Sequence, residues 1–226
     1  MFYFDWTYLI IIPGLLLGLW AQSQVNSAYH KYARVGTRMG APASAVVQDL
    51  LRRNGNSVVT IQRTAGQLTD HYDPATETLR LSEGVFGSGS VAALGIAAHE
   101  AGHAMQKLEH YAPLKLRTAL VPVVNIGSTA AVPLFFAGLL FSWKPLITLG
   151  IFAFSLSVIF SLITLPVEFD ASRRAVRMLQ DGGYVTADEL IGVQKVLRAA
   201  ALTYVAAAVS SLLNLLRLVL IARDRD

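Results

Sequence analysis

Apolar residues in this chain of 226 residues gather in four long blocks set apart by polar stretches. The first is residues 2–21 (FYFDWTYLIIIPGLLLGLWA), the second Leu120–Phe141, the third Pro145–Leu165 and the fourth Ala199–Ile221. A helix rises about 1.5 Å per residue, so each block is long enough to cross the roughly 30 Å of bilayer hydrocarbon. The first block has no positive leader and no small-residue cleavage site, which reads as an uncleaved anchor rather than a signal peptide. Tyr3, Trp6, Tyr8 and Trp20 fall near its ends as interfacial aromatics do, with Asp5 at the interface. Only Ser142-Trp143-Lys144 separates the second block from the third, so these two form a transmembrane hairpin. The fourth carries Asn214 and Arg217 and reads either as a span or as an interfacial or protein-packed helix.

The polar stretches carry their own punctuation. Within residues 22–118, Pro42-Ala43-Ser44 starts a short helix through Leu51, Arg52 and Arg53, which Asn54-Gly55 stops. Ser57–Arg63, Leu68–Tyr72 and Glu77–Ser82 are strand-like, the last two joined by the turn Asp73-Pro74-Ala75-Thr76. These runs predict a small antiparallel sheet. Gly84–Gly89 is expected as a loop, with Ser90 as N-cap of a helix over 91–109. In residues 167–198, a helix is expected over Val167–Gln180, Gly182-Gly183 breaks it, and Thr186 with Glu189 forms a capping box for the next helix.

Composition agrees with a membrane protein. At 54% hydrophobic and 15% charged residues, the chain is too apolar for an ordinary soluble domain. A net charge of +4 and a pI near 9.5 raise the question of nucleic acid. The basic residues, however, sit beside apolar blocks: Lys31, Arg34, Arg38, Arg52, Arg53, Arg173, Arg174 and Arg177 fall on one side of the membrane, and Lys144 alone on the other. The positive-inside rule then puts both polar stretches in the cytoplasm and the N-terminus outside. A spanning fourth block would leave Arg223 and Arg225 outside, a minor conflict. Membrane lipid is an expected partner and nucleic acid is not. The absence of cysteine excludes disulfides, thiol catalysis and thiolate metal sites.

The chemistry lies in His99-Glu100-Ala101-Gly102-His103. Histidines four apart on a helix share a face and reach one metal ion. A zinc ion acidifies the water beside it, and the intervening carboxylate accepts that proton and passes it to a leaving amine. The helix before the motif is Ala92-Ala93-Leu94-Gly95-Ile96-Ala97-Ala98, so two histidines and a glutamate closing it would be costly unless ligated or hydrogen-bonded. Small Ala101 and Gly102 leave room for a closely packed neighbour and a substrate. A catalytic zinc needs a third protein ligand. Without cysteine the options are His30, His71, His110 and the carboxylates. Glu168 is the choice, because the hairpin returns the chain to the same membrane face there and the expected helix places it near an N-terminal dipole. Asp170 is the competing ligand, or else a residue that orients a ligating histidine. His71 ends a strand, as a surface residue or one lining the cleft. His110 and Tyr111 lie too far along the helix to ligate but are candidates to assist an oxyanion. Arg173 is an inside-positive charge or an oxyanion contact, and His30 beside Lys31 is interfacial.

Three stretches carry a wider likeness: Asp70-His71-Tyr72-Asp73-Pro74, Ala92 through Ala104, and Leu165-Pro166-Val167-Glu168-Phe169-Asp170-Ala171-Ser172. Over nearly the whole chain, and in the order of its spans, the sequence resembles the YugP-type family of bacterial membrane zinc metallopeptidases. More distantly its layout resembles the HtpX and CAAX-prenyl protease families, in which a transmembrane hairpin separates HExxH from a glutamate ligand. That likeness implies a gluzincin-like site holding one Zn2+ per chain, with Glu168 as third ligand and Glu100 as catalytic base. Those families usually place an aspartate four residues after this glutamate. Here that position is Ser172, so the supporting role does not transfer directly to Asp170.

The expected fold is a mainly α integral membrane protein with three or four transmembrane helices and a small antiparallel β-sheet in a zincin-like cytoplasmic catalytic part. The expected activity is endoproteolysis of protein or peptide substrates at the cytoplasmic face of the bacterial inner membrane, with the substrate extended against a sheet edge near residues 67–82. A site-2-type intramembrane protease would need a second ligand motif, for which Leu179-Gln180-Asp181-Gly182 is a poor substitute. A non-catalytic metal-binding scaffold would not need Glu100.

Overall fold

The computed structural model describes residues 6–223, so the expectations for Tyr3, Asp5 and Arg225 lie outside the described residues. Four of its helices are long and apolar enough to cross a membrane: α1 (Tyr8–Tyr32), α5 (Ala112–Leu140), α6 (Lys144–Asp181) and α7 (Ala187–Arg223). Between α1 and α5 lie α2 (Ala43–Arg53), β1 (Thr60–Thr64), β2 (His71–Asp73), β3 (Thr78–Ser82), α3 (Glu83–Phe86) and α4 (Val91–Leu108). The chain divides into two compact units, one made of Ser23–Leu114 with Pro166–Ala201 and the other of the remaining described residues.

The second of these units holds the apolar segments. Its α5–α6 hairpin turns at Ser142, whose φ is +50°, and Trp143 N–H closes the turn on Gly138 O at 2.9 Å. Lipid offers no hydrophobic drive for helices to associate, so close backbone packing has to supply it. Gly138 and Gly150 provide that: a Cβ on either would meet the Ile147 or Phe135 backbone N at 2.6 or 2.7 Å. Phe135 is fully buried in a cluster with Ile147 and Leu218. Arg217, the costly charge of the fourth block, lies 4.0 Å over the Tyr8 ring and donates to Thr7 Oγ1 at 3.1 Å. Protein groups thereby solvate it.

The other unit is a small α/β body. Ser90 caps α4 as its sequence position predicts, accepting from Ala93 N–H at 3.2 Å. Asn54 caps α2, and Gly55 follows at φ +79°. Thr186 and Glu189 form their reciprocal pair at 2.7 and 3.3 Å. The core gathers Leu50, Leu51, Leu79, Leu81, Val85 and Leu94 with the alanines of α4.

Three sequence expectations change. The sheet is mixed rather than wholly antiparallel: its order is β1-β3-β2, with β3 antiparallel to β2 but parallel to β1. Burial decides the order, because Leu79 and Leu81 are fully buried and make β3 the central strand, while β1 and β2 hold only exposed and half-buried residues, as edges do. The glycine-rich stretch after β3 opens with the single-turn helix α3 rather than a loop. Most consequentially, no helix starts at Val167. The third apolar block continues unbroken through Pro166 to Asp181. Proline removes only one backbone donor, which a helix already propagating on both sides tolerates.

Candidate metal centre

The site rests on the crossing of α4 with the polar part of α6. Gly102 sets the distance: a Cβ there would lie 2.5 Å from Ala171 O, with Ala171 C and Cα at 3.1 Å. The glycine therefore permits backbone contact where any side chain would hold the helices apart. The small Ala101–Gly102 pair anticipated from the sequence serves this packing.

Along that contact three donor groups converge. His99, His103 and Glu168 each present one ligand atom within 4.8 Å of the others, a grouping able to hold a metal ion. Glu168 Oε2 lies 3.2 Å from His99 Nε2 and 3.5 Å from His103 Nε2. The two rings stand nearly perpendicular, their centroids 4.8 Å apart. The Glu168 side chain is only 2% exposed, a burial that a carboxylate sustains when it faces cationic partners or a metal. Desolvation drives the His103 pKa down, but the hydrogen bond and charge of Glu168, the charge of Glu100 and the Gln106 hydrogen bond outweigh it and hold the ring above its ordinary value. The pocket between these donors thus favours a positive charge. Two imidazoles and a carboxylate, without sulfur, are the donor set of an open catalytic zinc site, and the residues fit that ion.

Each histidine is steered from behind. Ser172 Oγ contacts His99 Nδ1 at 3.1 Å. Gln106 Oε1 contacts His103 Nδ1 at 3.0 Å, and Gln106 Nε2 donates to Val167 O at 2.8 Å and Asp170 Oδ2 at 3.0 Å.

The chain matches, over residues 7–223, the family described as "Putative neutral zinc metallopeptidase". It belongs to that family. It is also 46% identical over 212 residues to the "Putative membrane protease YugP" of Bacillus subtilis (strain 168), covering 94% of each chain. No solved structure matches it.

In this family member Glu100 lies beside the sheet edge. Its Oε2 accepts from Tyr72 N–H at 3.0 Å, so the free edge of β2 faces the motif helix. Asp70 sits close behind, its carboxylate accepting from Ser82 N–H at 2.7 Å and Ser82 Oγ at 2.9 Å. Burial raises the Asp70 pKa; the Ser82 bonds work against this, and the charge of Glu100 adds to it.

The remaining sequence candidates are not brought to the cluster. His71 is exposed, with Nδ1 2.8 Å from Thr69 O and Nε2 3.5 Å from Arg80. His110 is exposed beyond the end of α4 at φ +58°. Tyr111 lies under the Arg174 guanidinium at 5.8 Å. Arg173 is largely exposed and reaches Asp170 Oδ1 at 3.4 Å. Asp170 itself contacts Gln106 and Arg174 rather than a histidine, which places it one step behind His103. The dipole argument for Glu168 falls with the continuous helix, since its carboxylate sits mid-helix and is placed by packing against Gly102. Sequence reasoning gave no role to Gln106, although its position three residues after His103 puts it on the ligand face.

Proposed function

We propose that the protein is a membrane-embedded zinc-dependent endopeptidase, binding one Zn2+ per chain through His99, His103 and Glu168. The convergence of these three donor atoms beside Glu100 carries the reading. When bound, zinc supplies Lewis-acid chemistry, polarising a scissile carbonyl and acidifying the attacking water. Glu100 takes the proton of that water on a carboxylate oxygen and hands it to the leaving amine nitrogen. Tyr72 N–H holds Glu100 Oε2, which fixes the carboxylate and leaves its other oxygen for proton transfer. An extended peptide would lie along β2, whose outer edge adjoins Glu100.

The substrates in this reading are protein segments near the bilayer, reached at the cytoplasmic face of the bacterial inner membrane. The cluster of Lys31, Arg34, Arg38, Arg52 and Arg53 supports that orientation through the positive-inside rule. Detergent-solubilised wild type and Glu100→Gln are compared for zinc content and for cleavage of an unfolded test protein. Both are expected to hold one zinc, and the variant to cleave 10²–10⁴-fold more slowly. Equal cleavage rates would overturn the assignment of Glu100, and a zinc-free wild type would overturn the metal site.

A further inference from the structure

Gln106 is fully buried, one helical turn beyond His103, and both ends of its carboxamide are committed. We propose that Gln106, held in place by the Val167 carbonyl and the Asp170 carboxylate, is a positioning residue that fixes His103 in the Nδ1–H tautomer. The inference rests on the metal reading above and assigns the group that prepares one of its ligands.

A primary amide has two N–H donors on nitrogen and only lone pairs on oxygen. Gln106 Nε2 faces Val167 O at 2.8 Å and Asp170 Oδ2 at 3.0 Å. A carbonyl and a carboxylate only accept, so these two contacts use both hydrogens of the amide. Flipping the amide would set its oxygen against both acceptors and leave two repulsive contacts in a buried site. The orientation is therefore determined by its surroundings, and Oε1 points at His103 Nδ1 at 3.0 Å. An oxygen lone pair there demands a hydrogen on Nδ1. In the neutral ring, the lone pair then lies on Nε2, the nitrogen facing Glu168 Oε2 at 3.5 Å. A bare imidazole lone pair opposite a carboxylate oxygen is repulsive unless a cation lies between them, and the amide holds the ring in that metal-ready state.

His99 is treated differently. Its Nδ1 meets the Ser172 hydroxyl at 3.1 Å, and a hydroxyl both donates and accepts, so Ser172 orients the ring without dictating its tautomer. Only His103 has its proton placed by a group that cannot reverse. Asp170 is anchored in turn by Arg174, whose Nε donates to Oδ2 at 2.5 Å and whose other arm reaches Glu109 Oε2 at 2.7 Å. The aspartate thus acts through the amide rather than on a histidine. Groups that orient ligating histidines in this way contribute about 10- to 100-fold to metal affinity.

The test uses detergent-solubilised full-length protein. Nitrogen-15 histidine spectra of the metal-free wild type, taken at a pH where His103 is neutral, are expected to show Nδ1–H at His103. An Nε2–H tautomer overturns the proposal whether or not zinc binds. Zinc affinity, read by competition with a chelator, is expected to weaken 10- to 100-fold in Gln106→Leu, which removes the acceptor. If folded Gln106→Leu binds zinc as tightly as wild type, the positioning role is wrong and the metal site stands. If wild type binds no zinc, the metal reading itself is wrong. If the leucine variant does not fold, the wild-type tautomer decides.

Discussion

Replacing Gly102 by alanine adds one methyl group at the point where α4 touches α6. Its Cβ would sit 2.5 Å from Ala171 O, whereas ordinary contact begins near 3.4 Å, so the helices must part by about 0.9 Å. The obstacle is backbone and cannot rotate away. Overpacking of this kind costs about 1–3 kcal/mol, while alanine's better helix propensity returns about 1 kcal/mol. The net effect on stability is a modest loss of roughly 0–2 kcal/mol. The effect on the site is larger. Glu168 lies one turn before Ala171 on the same helix, so it retreats with it from contacts now at 3.2 and 3.5 Å. Metal–ligand distances tolerate only about 0.2 Å. Zinc affinity should therefore fall far more than stability does, by at least about tenfold. Gly95→Ala is the control, because the one tight contact of its Cβ would be the Val193 Cγ1 side-chain atom at 3.3 Å, with Val193 Cα at an ordinary 3.7 Å. That variant should melt at or slightly above the wild-type temperature and bind zinc normally. Chelator competition and thermal unfolding in detergent measure both quantities. Wild-type zinc affinity in Gly102→Ala would refute the argument that this close approach positions Glu168.

Other consequences follow from the same geometry. Glu168→Ala removes one of three ligands and leaves the buried His103 and the half-buried His99 without their carboxylate; zinc content by elemental analysis should drop to near zero, and undiminished zinc would move the third ligand elsewhere. In the metal-free protein His103 holds its proton above the ordinary value of 6.5, so its charged form stabilises the fold fully below about pH 6.5, and this contribution disappears as pH rises through the raised value. Zinc requires the neutral ring, so the melting-temperature gain from added zinc should grow with pH over that window; a gain independent of pH would contradict it. Ser90→Ala removes the N-cap of α4 and should cost about 0.5–2 kcal/mol by thermal unfolding, whereas Ser90→Asp should retain most of the stability.

What the sequence by itself determined is what depends on neighbours a few residues away. The ligand face of α4 follows from histidines four apart, its start from Ser90, the hairpin from three residues between two apolar blocks, and the α7 start from Thr186 and Glu189. The apolar blocks were legible because spanning length and hydrophobicity are local sums. Their ends were not: α6 runs on through Pro166 because an established helix tolerates one lost donor, and the expected helix start at Val167 went with it. Only the tertiary structure decided the rest. Glu168 is 69 positions from His99, and it arrives through a backbone contact that Gly102 permits rather than through a helix dipole. The burial of Leu79 and Leu81 put β3 at the centre of the sheet, leaving Tyr72 N–H on an edge turned to Glu100. Gln106 shows the same division within one residue. Its place on the ligand face is written in the spacing of α4, but its task depends on acceptors more than sixty positions away, which only packing brings within hydrogen-bond reach.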